Sequence, residues 1–427
     1  MSLTGSSSTP TPPPVLSIDP RYRVSLKIVL RGLGMPIPTE LRTPDDDENT
    51  FSSDRKRKMS RDLEKRDTFD HFMGAAKFFI RAGDTFPDFR RTLEYGSLDT
   101  WGTEEAGATT LNSSERAKCA HHASVFKKVL KVLPPDAQAV LRHLYLNSID
   151  CPAPWKALRQ KLNKSGKDAR EHDTNKLKHK LAYLVPNPTT DIIIPVLTDA
   201  APKNARWLAH PMIRYYVLPP RYSTKLPPLV YGQNPNLIPD DELSPEAKAI
   251  LDRIASGTLK THAKDMFTCL YADGSYDPEH YQVGLFRGHA LVRVLIHVWL
   301  GPGQVLALPG DEDIPKGCNA DIFDVSEVTE EMAAYAVCQL RTMIGRADCA
   351  QEKDYKLSDL YKNVLAAFKD DSDVTISPTW AQDTLDWLTE RVFNGRGRPA
   401  NNEDDGYDSV DEIAEQRARN RATPSAA

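Results

Sequence analysis

The residues best placed to do chemistry lie in one stretch, Tyr276 to Pro302, which reads YDPEHYQVGLFRGHALVRVLIHVWLGP. From Leu285 to Leu300 it is apolar nearly all round, the pattern of a helix buried on most sides. Its few polar residues are Arg287, His289, Arg293 and His297. The last three are spaced i, i+4, i+8 and form one stripe on an apolar cylinder. Arginine and histidine together donate well to phosphate or carboxylate, so these four residues are a candidate anion pocket. The same stripe also suits an interior helix that meets acidic neighbours or reaches the surface. Two histidines eight residues apart, with no carboxylate nearby, make a poor metal site, and no metal or cofactor is expected.

A second set is cationic. Residues 115–180 contain 15 Lys and Arg against 6 Asp and Glu, although the whole chain carries a net charge of -4. Within them Lys161, Lys164, Lys167, Arg170, Lys176, Lys178 and Lys180 follow one another almost without apolar residues until Leu177. Such a surface can track a phosphate backbone or hold an acidic protein. Two blander readings compete: a solvated helix face, or a complement to residues 301–390, which hold 18 acids and 7 bases. Aromatic residues are missing from Lys161 to Lys180, which argues against a groove that stacks single-stranded bases. A third cluster, Arg55, Lys56, Arg57 and Lys58, resembles a nuclear-import patch, although it also sits where a helix is predicted to begin.

Catalytic templates fail on their spacing. Ser165-Gly166-Lys167 lacks the upstream glycine and strand of a phosphate-binding loop. Asp273-x-Ser275-x-Asp277 begins like a calcium loop, but Pro278 stands where the turn needs glycine. No nucleophile elbow or paired-histidine zinc helix occurs. The residues therefore favour a binding protein over an enzyme.

The elements that must position these groups read as helices. Phe69, Phe72, Met73, Ala76 and Phe79 recur at helical spacing, as do Cys119, Ala123, Phe126, Leu130 and Leu133. Val140, Leu141, Leu144 and Tyr145 make a third stripe; Leu177, Leu181 and Leu184 make a fourth, stopped by Pro186. Ser244-Pro245 and Thr329-Glu330-Glu331 are helix starts, and Ser377-Pro378 opens a last helix. Val24, Leu26, Ile28 and Leu30 alternate in a way that suits a strand, with a helical turn fitting almost as well. The predicted fold is mainly α: a multi-helical globular core with a proline-rich extended arm and few short strands.

The arm is residues 186–239, which hold 11 of the 32 prolines. It divides a basic helical subdomain, 55–185, from an acidic one, 240–395, between a flexible N-terminal segment, 1–54, and a disordered tail, 396–427. The tail has one weak helical possibility, Val410 to Arg419. At 40% hydrophobic and 27% charged, the 427 residues can bury a sizeable core. No apolar run is long enough to cross a bilayer, and the N-terminal residues do not read as a secretory signal. Six scattered cysteines without a C-x-x-C pair fit a reducing compartment, so an intracellular protein of nucleus or cytoplasm, not a secreted one, is expected.

Several segments carry a resemblance. They are Gly166-KDAREHDTNKLK, Ala205-RWLAHP, Tyr276-DP with Gly284-LFRGHALVRV, Val328-TEEMAAYAVCQLR and Tyr355-KLSDLYKNVLAAFKD. In this order, over about residues 115–370, the chain resembles a large family of uncharacterised proteins from mushroom-forming basidiomycete fungi, known as a domain of unknown function. Where that family often has a GFNHP-like segment, this chain has Trp207-Leu-Ala-His-Pro211. The resemblance implies a lineage and a domain span, with no activity, cofactor or catalytic residue. The leading expectation is a non-enzymatic binding protein that contacts nucleic acid or an acidic protein through residues 115–180. The alternatives are an enzyme or small-anion binder using the Arg/His stripe, and a protein-interaction scaffold.

Overall fold

The computed structural model describes residues 18–42, 67–102, 113–178, 180, 184–186, 193–196, 207–230, 234–272, 276–305, 314–345, 355–369 and 379–393. Arg55 to Lys58 and the tail from residue 396 lie outside these residues. The described residues are mainly α, with fourteen helices and no sheet. None of these helices is long and apolar enough to cross a membrane.

The first helix, α1 (Arg23–Leu33), replaces the strand that alternation favoured. Leu26, Val29, Leu30 and Leu33 are its buried residues, spaced i, i+3, i+4, i+7, whereas Val24 is 68% exposed. Val29 and Leu33 complete a helical stripe that a count of alternating residues leaves out. Gly34, at φ 73°, ends the helix with its N–H on Arg31 and Leu30 carbonyls.

Next come α2 (Thr68–Ala82), α3 (Phe89–Trp101), α4 (Ser113–Val132), α5 (Pro135–Leu146) and α6 (Pro152–Lys178). Aspartates 67 and 88 cap α2 and α3 through the backbone N–H groups of Asp70 and Arg91. The sequence places a helical stripe at Leu177; in the structure that residue lies in the last turn of a 27-residue helix. The buried face of α6 runs Trp155, Leu158, Leu162, Ser165, Gly166, Ala169, Asp173, Leu177. Its middle is small or polar, so hydrophobicity alone hides it. Gly166 is small for a reason: a Cβ there would lie 2.9 Å from Ile80 and 3.1 Å from Phe89.

The described part of the proline-rich segment folds into α7 (Ile213–Val217) and α8 (Pro220–Ser223), with Met212, Ile213 and Leu218 fully buried. Ser244 caps α9 (Pro245–Ala255) through the Ala247 N–H. The apolar stretch beginning at Leu285 becomes helical only at His289, giving α10 (His289–Trp299). Before it, Gly284 and Phe286 take positive φ and Leu285 bridges to Tyr271. Gly288 then packs so closely on Cys269 that a Cβ would meet its carbonyl at 2.0 Å. A short α11 (Asn319–Phe323) leads to α12 (Glu330–Ile344), capped by Thr329, then α13 (Leu357–Lys369) and α14 (Trp380–Phe393).

Helix α12 is the axis of the fold, with twelve of its fifteen residues buried. It packs against α2, α6, α10 and α13. A buried polar junction ties three of these together: Arg81 of α2 holds both oxygens of Asp173 on α6, at 2.7 and 2.9 Å. The Tyr335 hydroxyl of α12 donates to the same carboxylate at 2.7 Å. Burial alone would raise the Asp173 carboxyl, but the Arg81 charge and these hydrogen bonds hold it below its ordinary value.

Removing one partner leaves an uncompensated buried charge, so Arg81→Met should cost about 3–5 kcal/mol in urea unfolding. The double change Arg81→Met/Asp173→Leu should recover much of that loss. Because the Asp173 pKa is lowered in the folded state, its contribution is present above pH 3.8 and lost as pH falls further. Equal losses in the single and double variants would show that the pair is not the source of the effect.

Candidate functional site

The Arg/His stripe separates into three environments. Arg287 lies over the Trp387 ring at 5.8 Å. His289 donates through Nε2 to the Val185 carbonyl at 2.7 Å, and Arg293 donates to the Leu184 carbonyl at 3.0 Å and to that of Pro186. Two of the four thus anchor the chain at residues 184–186. His297, two turns beyond His289, faces a different space.

That space is a cleft of about 680 Å³ between α2, α6 and the turns that follow α10. Helix α2 contributes Lys77 and Arg81; α6 contributes Asp168, His172, Asp173 and Lys176. The turn after α10 reverses at Gly301, φ 100°, and the segment before α11 brings Lys316 and Cys318 to the opposite wall. Members of two of the three sequence-derived sets therefore meet here: Lys176 from the cationic zone and His297 from the stripe.

His297 is only 5% exposed, and neither ring nitrogen has a hydrogen-bond partner among the described residues. Burial pushes its pKa down to about 4; Lys176 and Lys180 add to this, and Asp173 opposes it. The imidazole is neutral near pH 7, with one nitrogen able to donate and the other to accept. Burial also lowers His172 and raises the Cys318 thiol. A protonated thiol is a weak nucleophile, and both Asp173 oxygens are already occupied. Among the described residues no group of His, Cys, Asp and Glu is arranged to hold a metal ion. The arrangement suits recognition of an anion by lysines at the mouth and by a neutral donor–acceptor at depth.

The remaining cationic residues are distributed along α6. Lys161, Lys164, Lys167 and Lys176 are exposed, and Lys167 lies 3.6 Å from Glu171. Arg170 turns inward, donating to the Thr85 carbonyl at 2.9 Å over the Phe86 ring. Lys178 donates to Asn175 at 3.4 Å, and Lys180 sits in the turn after α6. Among the described residues, charge complementarity between the basic and acidic regions appears in the pair Lys128 of α4 with Glu331 of α12. Sequence reasoning missed Lys77 and Lys316. Each is an ordinary surface lysine in its own segment, and only the packing of α2 and the 315–319 turn around α6 brings them to one cleft.

A model of a family of unknown function, DUF6698, matches residues 164–393. The chain belongs to the DUF6698 family. The matched span contains the cleft residues from Asp168 to Lys176, His297 and Lys316, and leaves Lys77 and Arg81 outside. No curated protein and no solved structure matches this DUF6698 chain.

The depressed His297 pKa has a measurable consequence. Between its unfolded value of 6.5 and its folded value near 4, the unfolded chain binds the extra proton, so stability falls as pH falls through this window. The slope from this one residue approaches about 1.4 kcal/mol per pH unit. Comparing urea unfolding of wild type and His297→Leu from pH 7 to pH 4.5 isolates it from the other histidines. Parallel pH profiles would show that His297 is not buried neutral.

Proposed function

We propose that this DUF6698 protein is a non-enzymatic binding protein for a small anion held in the cleft between α2, α6 and α10. The observation that carries the reading is His297, buried with both ring nitrogens unpartnered at a cavity whose mouth bears Lys176 and Lys316. A buried polar group without a partner is costly, and such groups mark sites where a ligand supplies the missing hydrogen bonds. A volume of about 680 Å³ falls in the range of small-molecule sites. The protonated Cys318 and the saturated Asp173 favour binding over catalysis.

Inorganic phosphate, pyrophosphate and citrate, each at millimolar concentration and low salt, should raise the melting temperature by mass action. Lys176→Glu/Lys316→Glu should abolish the shift. His297→Leu should reduce it while leaving its salt dependence in place. If none of the three anions shifts the transition, the reading fails.

A second reading concerns the outer face of α6, where Lys161, Lys164 and Lys167 are exposed. Their row fits nucleic acid or an acidic protein, although Asp168 and Glu171 interrupt it. Affinity for duplex DNA should then fall linearly on a log–log salt plot, by about 0.9 per neutralised phosphate. Lys161→Glu/Lys164→Glu/Lys167→Glu should remove binding, and a salt-independent interaction would exclude this mode. An intracellular setting and a basidiomycete lineage belong to the same proposal, supported by the scattered free cysteines and by the segments that resemble the fungal family.

A further inference from the structure

A second groove, of about 640 Å³, opens between the first half of α3, the end of α5 and the first half of α6. Arg90, Lys156 and Arg159 line it against one acid, Glu94, which lies 3.4 Å from Arg159. Trp155 and Tyr145 form an aromatic wall, their rings 5.8 Å apart. At the α5 end of the groove the chain exposes Leu146 (40%) and Ile149 (89%), two apolar residues beside the lining Ser148 and Pro152. An occupant that fits must be acidic and must also carry apolar side chains.

We propose that the occupant is the segment 403–415 of this same chain. Its sequence, EDDGYDSVDEIAE, holds seven acids and no base, with Tyr407, Val410 and Ile413 at three-residue spacing. The acids complement Arg90, Lys156 and Arg159, and the three apolar residues match the exposed Leu146 and Ile149 and the aromatic wall. Helix α14 ends at Phe393, and the nine residues 394–402 that separate it from the segment span up to about 30 Å when extended. Both partners share another property: the groove residues and segment 403–415 lie outside the family match at 164–393. The pairing is thus a feature of this chain's flanks, independent of the cleft. Segment 403–415 covers the groove in cis and competes with any external acidic ligand.

The test uses the full chain and a fluorescent peptide of residues 401–416. A tail-neutralised variant carries Glu403→Gln, Asp404→Asn, Asp405→Asn, Asp408→Asn, Asp411→Asn, Glu412→Gln and Glu415→Gln. The peptide should bind this variant at least about tenfold more tightly than wild type, whose groove is already covered, with affinity falling as salt rises. Adding Arg90→Glu/Lys156→Glu, both at exposed positions, should remove that binding. Adding Ile149→Asp instead should weaken it with the melting temperature unchanged. Five results would overturn the proposal. Three concern the peptide: it binds neither chain, binds both equally, or binds regardless of Arg90 and Lys156. In the fourth, a mixed-sequence RNA oligonucleotide would bind wild type and the tail-neutralised chain alike through these residues. Sedimentation of wild type as a dimer, with the tail-neutralised chain monomeric, would overturn the cis contact in favour of exchange between two copies.

Discussion

A carboxylate buried where three helices meet must be neutralised on the spot, because a low-dielectric interior offers no water to do it. Asp173 is in that position. Its two oxygens are consumed by Arg81 from α2 and by the Tyr335 hydroxyl from α12. These three hydrogen bonds tie the register of α2 on α6 to the rotation of α12 against both. Other packing follows from this junction. Gly166 lets α6 approach Ile80 and Phe89, and Thr174, one residue beyond Asp173, donates to Gln339 on α12.

The same junction shapes the cleft. Arg81 and Asp173 lie on its wall but satisfy each other, so neither offers a free charge to a ligand. What remains is a mouth bearing lysines and an interior bearing a neutral His297. Burial keeps that imidazole uncharged, and the nearby Lys176 and Lys180 reinforce the effect. In the proposed anion site the two tasks separate: lysines would supply attraction at long range, and the imidazole orientation at contact distance.

Much of the helical content was legible in local pattern. Ser244 and Thr329 are caps in the structure as their sequence contexts predicted, because capping depends on residues three positions apart. Where a buried face was built from small and polar residues, the signal vanished. The middle of α6 reads as a hydrophilic charge run because Ser165, Gly166, Ala169 and Asp173 carry its contact with α2 and α12. The polar residues of α10 share a spacing in the sequence, but the partners of His289 and Arg293 lie about a hundred residues away. His289 and Arg293 were recognised as donors, while their acceptors, the carbonyls of 184–186, carry no side-chain signature at all.

The sequence by itself determined a mainly α fold, several of its helices and where some of them begin, and that positive and negative charge collect in different regions. Periodicity and capping are properties of a few consecutive residues, so no distant contact is needed to read them. The tertiary structure decided which polar residues are spent on the fold and which keep hydrogen-bonding capacity unused. Arg81, Arg170, His289 and Arg293 are satisfied by groups brought from elsewhere in the chain, and His297, of the same chemical type as His289, is not. Side-chain identity sets what hydrogen bonds a residue can form. Only the packing of α2, α6, α10 and α12 sets which of them are already made.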